Sequence, residues 1–470
     1  MRLPPIGMGE CPARSKALQG VAIDGTQWQG STKPMGVASP HSRRAASPQS
    51  TRQVRASSAI TLLCAVVGLA AGAASATASA RASTYYVAPN GNDRAAGTSP
   101  SRPWRTLGRA GAAPLGVGSR VLLRRGGRWQ GELRIAASGA PGGLITVGGY
   151  GIGRPPLIGG GRCVVVDGSY VTISGLALSG CDRAGVTVTG DSVQVRRNVI
   201  THNIAGVEVD DSSSGARIIS NRIVDNNRMA ALTRGGNNDN GAFGVLLHGD
   251  GTVVAHNTII GSDAFSYDYG RDGAAVEIYG ARNSSIQGNL AIDNNAFTEL
   301  GNPRSANNTY SSNVVRSSLA ISVFLVTRGG RDRYGPIQGT RVVNNTVRLT
   351  GRSSQGIVCH AGCSSAILSM RNNIIQAVQK VGFADGAFDE DYDLFFGGVR
   401  QFPVGPHSLV ANPGFVAPQS GDLRLRRGSP AIDRGVAVGL RFDLLGRRIP
   451  LDGNGDKRAT PDIGAYEFSP

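Results

Sequence analysis

Lysine is nearly absent. From Thr84 onward the chain has only Lys380 and Lys457, yet the formal net charge is +17. Residues 1–82 hold nine Lys or Arg and two acids, so they carry +7 and the remainder carries +10. Arginine supplies almost all of this charge. It sits beside abundant Gly and Ala, a combination that GC-rich coding also produces. No basic run interleaves with aromatic residues, so a nucleic-acid partner is not expected. A basic body would instead attract an anionic polymer. Long apolar runs are missing too. The longest, Ile60 to Ala70, is too short to span a bilayer. Arg52 and Arg55 precede it, and Ala76-Thr77-Ala78-Ser79-Ala80 follows, which is the layout of a signal peptide with its cleavage site. Export is therefore expected, with a mature start near Arg81 or Ser83 and an initiator at Val37 or Val54.

Cysteines are few. After the signal-like segment only Cys163, Cys181, Cys359 and Cys363 remain. An even number in an exported chain points to disulfides, and the nearest pairings are Cys163–Cys181 and Cys359–Cys363. Cys359 and Cys363 have one nearby histidine, His360, and no second cysteine pair, which argues against zinc.

What the chain has is glycine, 67 of them, and a repeat. Asn followed two residues later by Val or Ile recurs at Asn198, Asn221, Asn257, Asn313, Asn345 and Asn372, with a looser copy at Asn289 and Gly175 in the slot before. By subtraction the spacings from Gly175 are 23, 23, 36, 32, 24, 32 and 27. A period near 23 with insertions describes stacked one-turn units, none able to bury its apolar face alone. Short Val/Ile runs between Gly, Asn and Asp make the units strands, not helices. Buried amides at equivalent turns can form a hydrogen-bonded ladder along the stack. A β-sandwich of hairpins would not keep Asn in phase.

A second phase follows the first. Ten residues after Asn198 comes Glu208; ten after Asn289 comes Glu299; ten after Asn313 comes Val323. After Asn221 and Asn257 insertions of about 15 and 10 residues intervene, and the matching strands are Phe243 to His248 and Ala275 to Ile278. Insertions in solenoids become loops on one face. Strand alternation then turns Glu208, Glu277 and Glu299 outward, with His248 and Tyr279 two residues beyond that row.

The opening Tyr85-Tyr86-Val87-Ala88-Pro89-Asn90-Gly91-Asn92-Asp93, Pro103-Trp104-Arg105-Thr106-Leu107, the Asn-x-Ile turns and the closing Asp462-Ile463-Gly464-Ala465-Tyr466-Glu467 resemble secreted right-handed parallel β-helix proteins of the pectin-lyase-like superfamily. The resemblance spans roughly Thr84 to Phe468 and is specific for fold and weak for reaction. It implies an all-β solenoid; behind the disordered leader and signal peptide expected over 1–83, this gives an N-terminal cap and first strands over 84–160, a β-helix over 161–400, and closing strands and a C-terminal cap over 401–470. A short amphipathic helix from Trp104 to Ala110 would plug the open end, about eight to ten rungs would run from Gly160 to Gly398, and the protein would be a monomer.

Adjacent strands lie about 4.8 Å apart, which places the Glu277 and Glu299 carboxyls about 5 Å apart, the spacing of retaining glycosidases. Two like charges that close raise one pKa and separate an acid from a nucleophile. Glu277 is the expected general acid and Glu299 the nucleophile or base, with His248 and Asp272 orienting the acid. Loops Asn226 to Ala242 and Ser262 to Gly273 would bind sugar through Tyr267, Tyr269, Tyr279, Arg271, Arg228, Asn240, Asp239 and Glu208, because aromatic faces stack on sugar rings and polar groups satisfy hydroxyls. A third insertion, Arg328 to Tyr334, would close the far side.

The superfamily also implies two rivals. Its lyases use calcium and a Lys or Arg base. No lysine occurs between Thr84 and Gln379, so Arg228, Arg234 or Arg271 would be the base, and Asp239, Asp250, Asp268, Asp272 and Asp293 would hold the ion. The hydrolase requires no cofactor, and calcium is possible. Asp452-Gly453-Asn454-Gly455-Asp456 has the alternating oxygens of a calcium loop, but Ile463 stands where the bidentate Glu belongs. The other rival is a non-catalytic glycan-binding or cell-surface protein.

Overall fold

The computed structural model describes residues 81–470. The expected signal peptide lies outside the described residues. The chain coils as a solenoid of short strands, each pairing in parallel with its counterpart one turn earlier and one turn later. Three faces result. The first is a 12-stranded sheet that includes Arg217–Ile219, Val253–Ala255 and Ser285–Gln287. The second contains Arg222–Val224, Thr258–Ile260 and Leu290–Ile292. The third contains Ala205–Val209, Phe243–Leu247, Ala274–Tyr279, Ala296–Gly301, Ile321–Arg328 and Ser353–His360. Long strands that round the corner, such as Leu157–Val166 and Ile374–Ala384, merge the second and third faces into one 19-stranded sheet.

The turn between the first and second faces explains the repeat. The Asn198 amide Nδ2 donates to Asn221 Oδ1 at 3.1 Å, and the Asn198 backbone N–H donates to the same oxygen at 3.0 Å. The pattern repeats through Asn257, Asn289, Asn313 and Asn345. Every member is buried, so each amide satisfies polar groups that would otherwise be stranded. Two expected members sit one residue early. The amide below Asn345 belongs to Asn373, not Asn372, and Asp393 takes the next slot. At the other end Leu176, not Gly175, occupies the position that donates to Asn198. Gly175 and Asn372 fill the preceding left-handed position, with φ of 71° and 58°. Arg197, Ser220 and His256 take the same conformation there.

The parallel stack begins well before residue 160. Thr84–Val87 already pairs in parallel with Arg120–Arg124, and that strand with Ile145–Tyr150. The helix is also shorter than expected: it runs over Leu107–Gly111, capped by Thr106. Trp104 instead bridges to Val87, and Leu107 and Ala110 join the same apolar core. Both expected disulfides are present, Cys163–Cys181 and Cys359–Cys363. Among the described residues no helix is long and apolar enough to cross a membrane.

Candidate active site

The third face carries the site. Val276 and Ile278 enter the core, so Glu277 between them points out. Glu277 is in register with Leu246 on one side and Glu299 on the other, and Glu208 lies one strand beyond Leu246. The next strand departs from the ten-residue offset: Glu299 faces Val326, not Val323, which pairs with Ala296. Three extra residues precede this strand and shift the phase.

Glu277 is buried although it faces outward. Its neighbours explain this. Ala205, Phe243, Leu246, Ala274, Ala296, Val323 and Val326 form an apolar cluster separate from the core. The loops from Asn226 and Ser262 enter at this edge of the face, on successive turns. Burial pushes the Glu277 carboxyl well above the usual carboxylate range, and the charges of Glu299 and Asp272 push it further, against the pull of Arg328. Asp272 is raised well up for the same reasons, burial first and then Glu299. Glu299 has a different environment: it is ion-paired and hydrogen-bonded to Arg328. Burial lowers the Arg328 pKa, but the charge and hydrogen bond of Glu299 and the charge of Asp332 outweigh it and raise it overall.

Two residues beyond the glutamate row lie His248, Tyr279, Gly301, Arg328 and His360. Gly301 matters here because a Cβ would come within 3.2 Å of the Tyr279 ring and 3.8 Å of Arg328. His248 donates from Nδ1 to the Tyr279 carbonyl at 2.9 Å, and its ring meets the Tyr279 ring edge-on. This bond holds Tyr279 rather than Glu277. Behind the site Thr298 turns inward and bonds to Tyr310 Oη at 2.8 Å.

Both insertions fold back as hairpins, Met229–Ala231 with Asn240–Gly241 and Ala264–Ser266 with Gly270–Asp272. Asp239 and Asp268 staple them together. Asp239 Oδ2 accepts from Tyr267 N at 2.7 Å and Ser266 Oγ at 2.9 Å; Asp268 Oδ2 accepts from Asn238 N at 2.7 Å. Tyr267 and Phe265 meet edge-on at the lip, 45% and 51% exposed, so their faces can receive a ring. Tyr269 Oη donates to Asn237. Asn240 donates to the Asn238 carbonyl, Arg228 to the Cys181 carbonyl, and Arg271 pairs with Asp263. Arg234 lies over the Tyr267 ring. Glu208 is bound by Arg183. The third insertion follows Arg328 on the opposite edge of the face, where Arg333 and Arg328 approach the Tyr334 ring.

The sequence placed Arg328 and Asp332 only in an insertion closing the far side, not beside Glu299, and did not bring His360 to this site. The three-residue phase shift before Ile321 hid the fact that Arg328 occupies the row of Tyr279. His360 loses basicity through burial and the nearby Arg328 charge.

The aspartates proposed for calcium do not fit a shared cation. Asp239 and Asp268 accept backbone N–H groups, Asp250 pairs with Arg304, Asp293 accepts from Ser318, and Asp272 accepts from Gly273. Among the described residues no group of three His, Cys, Asp or Glu is arranged to hold a metal. In the Asp452–Asp456 turn, Asp452 accepts the N–H groups of Gly455 and Lys457.

The family model described as a right handed beta helix region matches residues 150–242. The solved structure of pectate lyase Pel9A aligns over 83% of this chain and 97% of its own, with a TM-score of 0.52 at 17% identity. The fold is the pectate-lyase-like right-handed parallel β-helix. An alginate lyase from Paenibacillus sp. str. FPU-7 aligns over 70% of this β-helix chain and 98% of its own, with a TM-score of 0.46 at 17% identity. A GH136 lacto-N-biosidase from Eubacterium ramulus covers 70% of this chain and 67% of its own, with a TM-score of 0.39 at 14% identity. No curated protein matches this β-helix chain in sequence.

Proposed function

We propose that this β-helix is an exported enzyme that cleaves a polysaccharide by hydrolysis on its third face. The observation that carries the reading is one pair of glutamates in register on adjacent strands with opposite surroundings. Glu277 is desolvated, which pushes its carboxyl well above the usual carboxylate range; Glu299 is ion-paired to Arg328. That division of labour is what glycoside hydrolysis needs. Glu277 protonates the glycosidic oxygen. Glu299 attacks the anomeric carbon, the C–O bond breaks, and the leaving sugar departs as an alcohol. Glu277, now a carboxylate, takes a proton from water, which attacks the same carbon and releases Glu299. A strand spacing of about 4.8 Å suits the short carboxyl separation of a retaining mechanism. Phe265 and Tyr267 stack on sugar at the lip.

The two disulfides and the signal-like segment support export. Elimination by an arginine base has less support. Arg228 and Arg271 already hold partners, and Arg234 stands on the outer lip.

The test is cleavage of a glycan panel by the purified protein and its Glu277→Gln and Glu299→Gln variants. Each substitution should lower kcat by ~10²–10⁴ while circular dichroism stays native. Full activity in both variants would refute the assignment.

A further inference from the structure

The closing segment covers the outer row of the second face. Val314, Thr346, Ile374, Leu394 and Leu409 stand in register along that row. Phe415, Leu423, Ile432 and Ile463 pack against it in a cluster separate from the main core. Beside Leu409 this packing leaves a cavity of about 520 Å³, within the size range of small-ligand sites. Leu409, Ile432 and Phe468 give it an apolar wall that belongs to the same cluster. Gly453 lets a turn close on that wall: a Cβ there would come within 2.7 Å of Ile432 and 3.4 Å of Phe468. Two arginines, Arg427 and Arg434, line the cavity, and no carboxylate does. Among the described residues neither guanidinium has a hydrogen bond or an ion pair. Arg424 and Arg447 of the same segment differ, being held by Asp422 and by the Glu467 carbonyl. Asp433, next to Arg434 in the chain, is also committed: its carboxylate accepts the N–H groups of Gly453 and Asn454 at 3.1 and 2.7 Å. A guanidinium offers a planar fork of donors that fits a carboxylate or sulfate, and it sheds water more readily than an ammonium. An apolar wall with an aromatic ring suits the apolar face of a sugar. An acidic sugar uses both features. A bare anion would leave the wall unused, and a neutral sugar would leave the arginines unused.

We propose that this cavity is a second glycan-binding site, which takes an acidic sugar unit with its carboxylate or sulfate on Arg427 and Arg434 and its ring against Phe468. It lies over the second face, whereas Glu277 and Glu299 lie on the third. It therefore goes beyond the hydrolytic reading and stands or falls without it. Its role is to anchor the protein on an anionic glycan.

The test is calorimetric titration of the full chain at low salt with three oligosaccharides of equal length: oligogalacturonate, sulfated galactan and neutral galactan. At least one acidic series should bind about tenfold more tightly than the neutral one, and the series that does so names the anionic group. The Arg427→Gln/Arg434→Gln double variant should lose about tenfold in that affinity. Both side chains are exposed and give up no partner, so circular dichroism should stay native. Arg458→Gln, at an exposed arginine of the same segment outside the cavity, should leave the affinity unchanged. The bound oligosaccharide should also slow hydrogen exchange from Arg427 to Arg434 in the wild type. Acidic chains bound no more tightly than neutral galactan overturn the proposal. So does an affinity that the double variant keeps, which would place the bound chain elsewhere on the molecule. Inorganic sulfate bound as tightly as the acidic oligosaccharide overturns it too, because the ring would then contribute nothing.

Discussion

A carboxyl on the outside of a β-helix is ordinarily solvated. Glu277 is not, because Leu246 and the alanines of the neighbouring row crowd it and loops rise at its edge. Its raised pKa has two measurable consequences. Activity should fall as pH rises through the Glu277 pKa, well above the usual carboxylate range, because the acid is then unprotonated. A pH–rate profile locates this limb. Stability follows the same sign. Asp272 and Glu277 are raised in the fold, so their contribution is full below their unfolded values near 4 and is lost as pH rises through the folded values. Asp272→Asn should therefore flatten the alkaline slope in urea titrations at several pH values. The two glutamates were legible because strand alternation and a ten-residue offset fix their phase. Arg328 was not, since the added residues before its strand break that offset and only pairing partners reveal the shift.

Among the elements, the asparagine ladder does the most to hold turns in line. Asn257 accepts from both donors of Asn221 and donates to Asn289 and the Ile218 carbonyl. Asn257→Ala strands these groups in the interior and should cost ~3 kcal/mol, read from the urea midpoint. A substitution at Asn372 would leave the ladder contacts intact, although Asn372 itself bonds to Val436 in the closing segment. Sequence alone blurred the two because the Asn372-Asn373 doublet offers two amides, and only the left-handed turn decides which one faces in. The closing segment has its own pH dependence. Burial raises Asp462 to about 7, while its oxygens accept from Asp433 N and Phe468 N. The proton stabilises this segment fully below the unfolded value near 4, and the benefit is lost as pH rises to about 7. Hydrogen-exchange protection factors around Ile463, corrected for the intrinsic pH dependence of exchange, should fall between pH 5 and 8, and Asp462→Asn should remove that fall.

At the scale of the molecule, repetition made the fold readable: each turn restates the same pattern, so an error of one residue at Asn372 does not disturb the architecture. The first strands were expected over 84–160 but not as rungs, because they precede the ladder and lack its Asn, though Thr84–Val87 pairs like any later rung. Chemistry was less readable, because it depends on which loop side chains are already committed. Cleavage in heavy-oxygen water is the most direct test. The full chain is incubated with a glycan that it cleaves, and the products are weighed. Hydrolysis through Glu277 and Glu299 predicts one heavy oxygen at each new reducing end, lost with Glu299→Gln. Products that carry no heavy oxygen and are lighter by one water, the mark of elimination, would contradict it.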